Sequence, residues 1–117
     1  MNVLFKVHNM LGSKLQEKYY QRAIEIEFQK QNILFEREKM IPLNYEENSI
    51  GRYFIDFVIE DKIALEVKAA DYFKRGFTIQ VLAYLNSGNF KLGIIANFNS
   101  NKVLFKRLIN PEYDKKH

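Results

Sequence analysis

The spacing of apolar residues predicts two helices in the N-terminal part of the chain. Residues 3–11 carry apolar side chains at helical spacing, and Gly12 is expected to end this helix. A second helix is predicted to begin at Ser13, which has a capping-box pattern with Gln16, and to run to about Gln31. The main apolar stripe of this helix is expected to face the core and consists of Leu15, Tyr19, Ala23 and Ile26.

After Asn32 the pattern changes to one that is typical of strands. Residues 33–47 are predicted to be extended, with an edge or bulged position at Pro42. A turn is expected in the segment that contains Asn48, Ser49 and Gly51. Two short strands with strict alternation follow, and their sequences are RYFIDFVIE and KIALEVKA.

The C-terminal part predicts one more helix and two more strands. The helix is expected from Phe73 to Asn86, where the residues NSGN end it. The run FKLGIIANF is typical of a strand covered on both faces, and KVLFKRLI predicts a last strand. The order of helix, helix, strands, helix and strands predicts an α/β (α+β) fold, a mixed sheet flanked by helices. At this length we expect residues 1–117 to form a single domain.

Composition restricts the chemistry more than it restricts the fold. Apolar residues make up 47% of the chain and charged residues 27%, as in globular proteins. With no Cys, and with His only at positions 8 and 117, a metal ion would need oxygen ligands, as Mg²⁺, Mn²⁺ and Ca²⁺ do. The net charge of +4 is compatible with a phosphate-bearing partner but does not require one. Because no apolar run is long enough for a membrane span or a secretory signal, we expect a cytoplasmic protein without a membrane partner.

The two alternating strands around Asp61 predict a hairpin that brings two carboxylates together. If the turn is centred on Asp61, the apolar residues of both strands share one face, with Ile55 opposite Val67 at its end. In that register Asp56 faces Glu66 on the reverse face, with Cβ atoms roughly 5 Å apart. Lys68 lies two residues beyond Glu66 and therefore projects from the same face.

The expected proximity of Asp56 and Glu66 needs a compensating charge. Their repulsion would cost on the order of 3–4 kcal/mol at an effective dielectric constant of about 20. A proton, a nearby cation or a divalent metal ion could offset it, and Lys68 supplies part of the offset. A divalent ion would suit these oxygen ligands. The alternative is an ordinary set of solvated ion pairs on an exposed face of the sheet.

Two further polar residues lie among apolar neighbours on the predicted helices. Glu17 shares a second stripe of the second helix with three large residues, Tyr20, Ile24 and Phe28. Its carboxylate is either part of a site or a boundary group bonded to a Lys or to the backbone. Gln80 lies in the apolar third helix, where its amide needs a partner, either structural or catalytic.

These residues, in this order, resemble the core of the PD-(D/E)XK nuclease superfamily. The resemblance rests on Asp56, on the triplet Glu66-Val67-Lys68 and on Gln80, each on its expected element. More closely, residues 3–105 are similar to the small bacterial and archaeal proteins called the GxxExxY family. The stretches that match are VHNMLG, Glu17 with Tyr20, FIDFVIEDKIALEVKA and IQVLAYLNSGNFKLGIIANFN. The Gly that names the family falls on Lys14, with Gly12 two residues earlier.

The resemblance implies a restriction-endonuclease-like core with a metal-dependent active site. Asp56 and Glu66 would hold Mg²⁺ or Mn²⁺, with the carbonyl of Val67 as a third ligand. Lys68 would orient or help to deprotonate the attacking water and would stabilise charge on the phosphate. Glu17 would add a ligand or a water contact, and Gln80 would brace the site. The residues implied in contact with the substrate are Tyr20, Lys74 and Arg75.

The first functional hypothesis is therefore a Mg²⁺-dependent nuclease that cleaves phosphodiester bonds in DNA rather than RNA. The alternative is a non-catalytic module that keeps the fold and binds nucleic acid or protein. A third reading is a structural or regulatory protein whose acidic cluster is a solvated ion-pair set. The sequence leaves a monomer and a homodimer as alternatives, and the contacts of a homodimer would lie on edge strands near Pro42 or in residues 102–108.

Overall fold

The computed structural model describes residues 2–113, and its helices and strands follow the predicted order. The helices are α1 (Asn2–Leu11), α2 (Glu17–Lys30) and α3 (Arg75–Gly88). The strands are β1 (Phe35–Tyr45), β2 (Asn48–Ile59), β3 (Ile63–Lys68), β4 (Leu92–Asn97) and β5 (Leu104–Ile109). The predicted α/β fold with a mixed sheet is thus confirmed.

The strands form one five-stranded sheet in the order β1-β2-β3-β4-β5. All neighbours are antiparallel except β3 and β4, which are parallel and are joined by the crossover helix α3. Strands β1 and β5 form the two edges, so Pro42 lies on an edge strand as predicted. A register shift follows between Leu43 and Asn44.

Helices cover both faces of the sheet. Helices α1 and α2 pack on one face against β3, β4 and the end of β2, and α3 packs on the other. Gly93 of β4 allows α3 to approach closely, because a Cβ atom at this position would lie 2.4 Å from a Val81 methyl carbon. The two helical layers therefore enclose β3 and β4, whose central residues are buried.

The predicted stop of α1 is confirmed, whereas the predicted start and core face of α2 are wrong. Gly12 has a φ of +73° and its NH bonds to the His8 carbonyl. Helix α2 begins only after Gln16, which makes no capping bond through its side chain. Three residues of the expected core stripe are exposed, and they are Leu15, Tyr19 and Ile26.

The second stripe of α2, which holds Tyr20, Ile24 and Phe28, is the one that faces the core. Tyr20 is fully buried: its ring stacks on Phe98 with a centroid separation of 4.5 Å. Its hydroxyl donates to the Gly12 carbonyl and accepts the Leu15 NH, at 2.7 and 3.2 Å. These bonds to the α1–α2 connection orient the helix.

Both hairpins turn at residues with positive φ. The turn expected at Asn48, Ser49 and Gly51 is wrong, because the chain reverses at Glu46 and Glu47 and β2 already begins at Asn48. The β2–β3 turn at Asp61 is confirmed, and its register pairs Phe57 with Leu65, as predicted. Within residues 2–113, no helix is long and apolar enough to cross a membrane.

Candidate active site

The candidate site begins where the β2–β3 ladder ends, just beyond the pair Phe57–Leu65. There the Asp56 NH donates to Glu66 Oε1 at 3.1 Å, and the Val67 NH donates to Asp56 Oδ2 at 2.8 Å. Each carboxylate thus takes a backbone NH of the opposite strand, in place of the carbonyl that a regular ladder would use. The two acidic side chains meet, as the alternation predicted.

One part of the predicted register is wrong at this point. Ile55 does not share a face with Phe57 and Val67: it is fully buried in the cluster against α3, whereas they pack on the side of α1 and α2. The side-chain bonds of Asp56 and Glu66 explain the difference, because they replace the backbone pairing that would have placed Ile55 opposite Val67.

The two carboxyl groups are buried together, and this changes their protonation. Glu66 is 3% exposed, and burial followed by the neighbouring Asp56 charge raises its pKa to about 8. Burial also raises the pKa of Asp56, but the Val67 NH, Lys68 and Arg37 act against this shift. Burial thus favours the protonated form of both groups, and at Glu66 the Asp56 charge adds to this effect.

Lys68 lies beside this pair and is held by a chain of hydrogen bonds. Its Nζ is 3.9 Å from Glu66 Oε2 and donates to Gln80 Oε1 at 3.0 Å. Gln80 Nε2 is 2.6 Å from the Tyr84 hydroxyl, which in turn donates to the Phe54 carbonyl at 3.4 Å. Burial raises the pKa of Tyr84, so its phenol stays neutral. The amide of Gln80 therefore has its partners, and it positions Lys68.

A groove opens next to Lys68 and has a volume of about 390 Å³. Its lining residues come from α2, β3, the β3–α3 connection and α3, and they are Glu17, Lys68, Ala69, Ala70, Asp71, Tyr72, Lys74 and Phe77. Burial raises the pKa of Glu17, whose carboxyl interacts electrostatically with Lys68 and Asp56. Helix α2 thus adds a third acidic group to the edge of the site.

The β3–α3 connection is fixed by two asparagines of the β4 end. Asn97 is paired with Lys68 in the parallel ladder, and its amide binds both the NH and the carbonyl of Ala70 at 3.0 Å. Asn99 donates to the Asp71 carboxylate at 2.9 Å. The wall of the groove is therefore held against the sheet.

The structure brings together most of the site residues that the sequence singled out. Asp56, Glu66, Lys68 and Gln80 form one connected cluster, and Glu17 and Lys74 line the adjoining groove. Arg75 is the exposed first residue of α3 and does not line the groove. Tyr20 as a substrate contact is wrong, because its ring is fully buried and its hydroxyl binds backbone groups.

Sequence reasoning missed three residues that support the site, namely Arg37, Tyr84 and Asn97. Arg37 bonds to Glu25 and Gln21 of α2 and adds positive charge near Asp56. The only signal for Asn97 was an amide at the end of an apolar strand, where a buried polar group needs partners. Tyr84 and Arg37 carried no signal, because their partners are distant in sequence.

The oxygen ligands of the site fit a divalent ion that keeps part of its water shell. Within residues 2–113, no group of three or more His, Asp or Glu side chains is arranged to hold a metal. Asp56 and Glu66 do come together, and Mg²⁺ is commonly bound by one or two carboxylates with waters and substrate phosphates. This buried pair, whose charges repel and whose pKa values are raised, fits an open site of that kind.

Fold and site together define a nuclease-like protein, and comparison with known families gives the class. A family model described as the PD-(D/E)XK nuclease superfamily matches residues 1–108, so the chain belongs to that superfamily. Membership suggests a hydrolase that acts on nucleic acid.

One solved structure, that of SSO0001, is similar in fold, with a TM-score of 0.63 and 16% sequence identity. The likeness covers 85% of this chain and 52% of that one, so this chain spans about half the length of SSO0001. None of the curated proteins compared with the chain matches it.

Proposed function

We propose that this protein is a nuclease that depends on Mg²⁺ or Mn²⁺ and hydrolyses phosphodiester bonds in DNA rather than RNA. The observation that carries the proposal is the buried Asp56–Glu66 pair with the Lys68 ammonium 3.9 Å from Glu66. Burial raises the pKa of both acidic groups, and the Asp56 charge raises that of Glu66 further; such perturbed acids beside a groove are typical of functional sites. We further propose one domain over residues 1–117, a cytoplasmic location, and homodimer contacts on the sheet edges.

Asp56 and Glu66 would hold the ion, and Glu17, which lines the adjoining groove and interacts electrostatically with Asp56, would add a ligand or a water contact. The Val67 carbonyl is the proposed third ligand. In an extended strand the NH and C=O of one residue point toward the same neighbouring strand. Because the Val67 NH donates to Asp56, the Val67 carbonyl points to the same side. When bound, a divalent ion lowers the pKa of a coordinated water and neutralises charge on the phosphoryl oxygens.

Lys68 has two roles in this proposal. Its ammonium donates hydrogen bonds that orient the attacking water, and its charge faces the negative charge that develops on the phosphate. Gln80 and Tyr84 fix the position of Nζ, which is otherwise at the end of a flexible side chain. Lys74 at the groove, and Arg75 next to it in sequence, would attract the phosphate backbone.

We also assign the chain to the GxxExxY family. The Gly of that motif falls on Lys14, which has a φ of +75°, a conformation that favours Gly. Glu17 and Tyr20, three and six residues later, line the groove and anchor the α1–α2 connection, respectively. The backbone at Lys14 therefore supports the motif although its side chain departs from it.

A cleavage assay tests the proposed function. Labelled single-stranded, duplex and branched DNA, and RNA of the same sequence, are incubated with the protein in the presence of Mg²⁺, of Mn²⁺ or of EDTA, which removes the metal. We expect metal-dependent cleavage of DNA that is lost in Asp56→Asn and Glu66→Gln. Glu47→Gln is the matched control, because Glu47 is an exposed acidic residue of the β1–β2 turn.

Cleavage that survives both active-site substitutions would refute the proposal. The alternative function, a binding module, predicts a different result: no cleavage, with salt-sensitive binding of nucleic acid that persists without metal and in Glu66→Gln.

A further inference from the structure

An exposed aromatic ring lies at the groove without a role in the mechanism above. Tyr72 is 68% exposed and lines the same groove as Lys68 and Glu17. The Nζ atom of Lys74 lies 5.8 Å from the centre of the Tyr72 ring. A large aromatic surface beside a cation, next to the proposed cleavage site, offers both a stacking plane and a phosphate contact.

The backbone around Tyr72 is fixed on both sides. Before it, Asn97 binds Ala70 and Asn99 binds Asp71. After it, the Phe73 ring packs edge-to-face on Phe77, with centroids 5.9 Å apart. The ring is therefore presented to solvent from an anchored connection, which lowers the entropy that a ligand would have to remove on binding.

The size of the groove restricts what can stack there. A volume of about 390 Å³ is in the range of pockets for small molecules, which suits about one nucleotide. A base inside a duplex already stacks on its neighbours on both faces, so it has no free face for a side chain. An unpaired base has one, and aromatic residues stack on such bases with little dependence on sequence.

We propose that Tyr72 stacks on an unpaired base next to the scissile phosphate, with Lys74 on the adjoining phosphate. The substrate is accordingly DNA that is single-stranded at the point of cleavage, either a single strand or a flap. This inference rests on the proposed nuclease function and adds the substrate class to it.

Cleavage by the full chain tests the inference with three substrates of one sequence: a single strand, a flapped duplex and a blunt duplex. A second set of substrates carries one abasic site each, at successive positions around the cleavage point. Each of these substrates lacks a single base but keeps every phosphate, so it tests the contact to the base alone. We expect the single strand and the flap to be preferred over the blunt duplex by about tenfold or more in kcat/KM. One abasic position should lower kcat/KM by roughly 5- to 100-fold, the loss of one stacked base.

Variants identify the residue that stacks. In Tyr72→Ala the abasic penalty should disappear, and in Tyr72→Phe it should remain, because Phe keeps the ring. Tyr45→Ala is the matched control: Tyr45 is 65% exposed but lies at the end of β1, outside the groove. The same abasic profile in the wild type and Tyr72→Ala, or equal cleavage of blunt duplex and single strand, would overturn the inference while the nuclease function stands.

Failure of the nuclease function would look different, because the wild type would then cleave none of the substrates with either metal. In that case fluorescence anisotropy with the same single strand and duplex still tests Tyr72. A preference for the single strand that Tyr72→Ala loses would support stacking, and equal affinities in the two proteins would refute it.

Discussion

Glu66 and Glu27 are both buried acidic residues, but their surroundings have opposite effects. Glu27 of α2 is 8% exposed, and its carboxylate lies 3.0 Å from Lys6 Nζ and 3.6 Å from Lys30 Nζ. The hydrogen bond to Lys6 lowers the pKa of Glu27. Glu66 is 3% exposed, its neighbour is another carboxylate, and burial raises its pKa to about 8.

Under the proposed function, the difference separates a structural acid, Glu27, from a metal-binding one, Glu66. Glu27 is matched by two cations and links α1 to α2, so its charge stabilises the fold. Glu66 has one cation at 3.9 Å, which Gln80 also binds, so a negative charge on its carboxylate would not be balanced within the protein. A fold keeps such a group where chemistry needs it, because an external cation can supply the missing charge.

The largest expected effect concerns the two lysines that face these acids. Lys68→Met should lower kcat by about 100-fold or more, since a lost donor to the transition state costs on the order of 3 kcal/mol. Lys6→Met should leave cleavage unchanged and lower only the melting temperature. Steady-state cleavage and thermal unfolding of both variants measure this contrast, and full activity in Lys68→Met would remove the distinction between the two sites.

Addition of a divalent ion is expected to stabilise only proteins that keep the Asp56–Glu66 pair. At about 100 times its dissociation constant, the ion should raise the free energy of unfolding by ~2.7 kcal/mol. Glu27→Gln should respond as the wild type does, and Glu66→Gln should lose most of the response. Urea unfolding at pH 7.5 with and without Mn²⁺ measures the shift. An equal shift in Glu66→Gln would show that the ion binds elsewhere.

The same two substitutions should change the stability of the metal-free protein in opposite directions. Glu66→Gln keeps an oxygen for the Asp56 NH but removes the buried charge, so it should stabilise the protein at pH 8 by on the order of 2 kcal/mol. Glu27→Gln breaks two ion pairs and should destabilise it. Urea unfolding at pH 8 compares them, and a destabilised Glu66→Gln would contradict the assignment.

The acidic pair was predictable from sequence, because alternation with period two assigns a face to each residue of a hairpin. The register around Asp61 followed from that alternation as far as the pair Phe57–Leu65, and it brought Asp56, Glu66 and Lys68 to the same end of the hairpin. The backbone pairing of Ile55 with Val67 that it also predicted does not form. The fold class was predictable for a similar reason: the order and type of the elements depend mainly on local patterns.

Features that depend on distant partners were not predictable. Helix α2 has two apolar stripes, and the choice between them depends on Phe98 and on the Gly12 carbonyl, which bind Tyr20. In the same way Tyr84 and Asn97 support the site only through α3 and the parallel β3–β4 pairing. No local pattern encodes such contacts.

Measured per pH unit, the pH dependence of stability is the smallest expected effect, and in it the two acids act at different ends of the scale. The usual pKa of Glu66 is 4.5 and its pKa in the folded protein is about 8, so between these values the folded protein keeps a proton that the unfolded chain has lost. Stability should therefore fall as pH rises from 5 to 8, by up to ~1.4 kcal/mol per pH unit for one proton.

Glu27 has a lowered pKa, so its contribution is present above pH 4.5 and is lost as pH falls further. Of these two residues, Glu66 therefore favours stability at the acid end of the range, and Glu27 favours it above pH 4.5. Urea unfolding across pH 4–9 should show a shallower decline for Glu66→Gln than for the wild type between pH 5 and 8, because this substitution removes one raised pKa and leaves those of Asp56 and Glu17, and a weaker acid limb for Glu27→Gln. Parallel profiles for the wild type and Glu66→Gln would mean that the pKa of Glu66 is not raised in the folded protein. The Glu66 charge would then already be compensated, contrary to the premise of the proposed metal site.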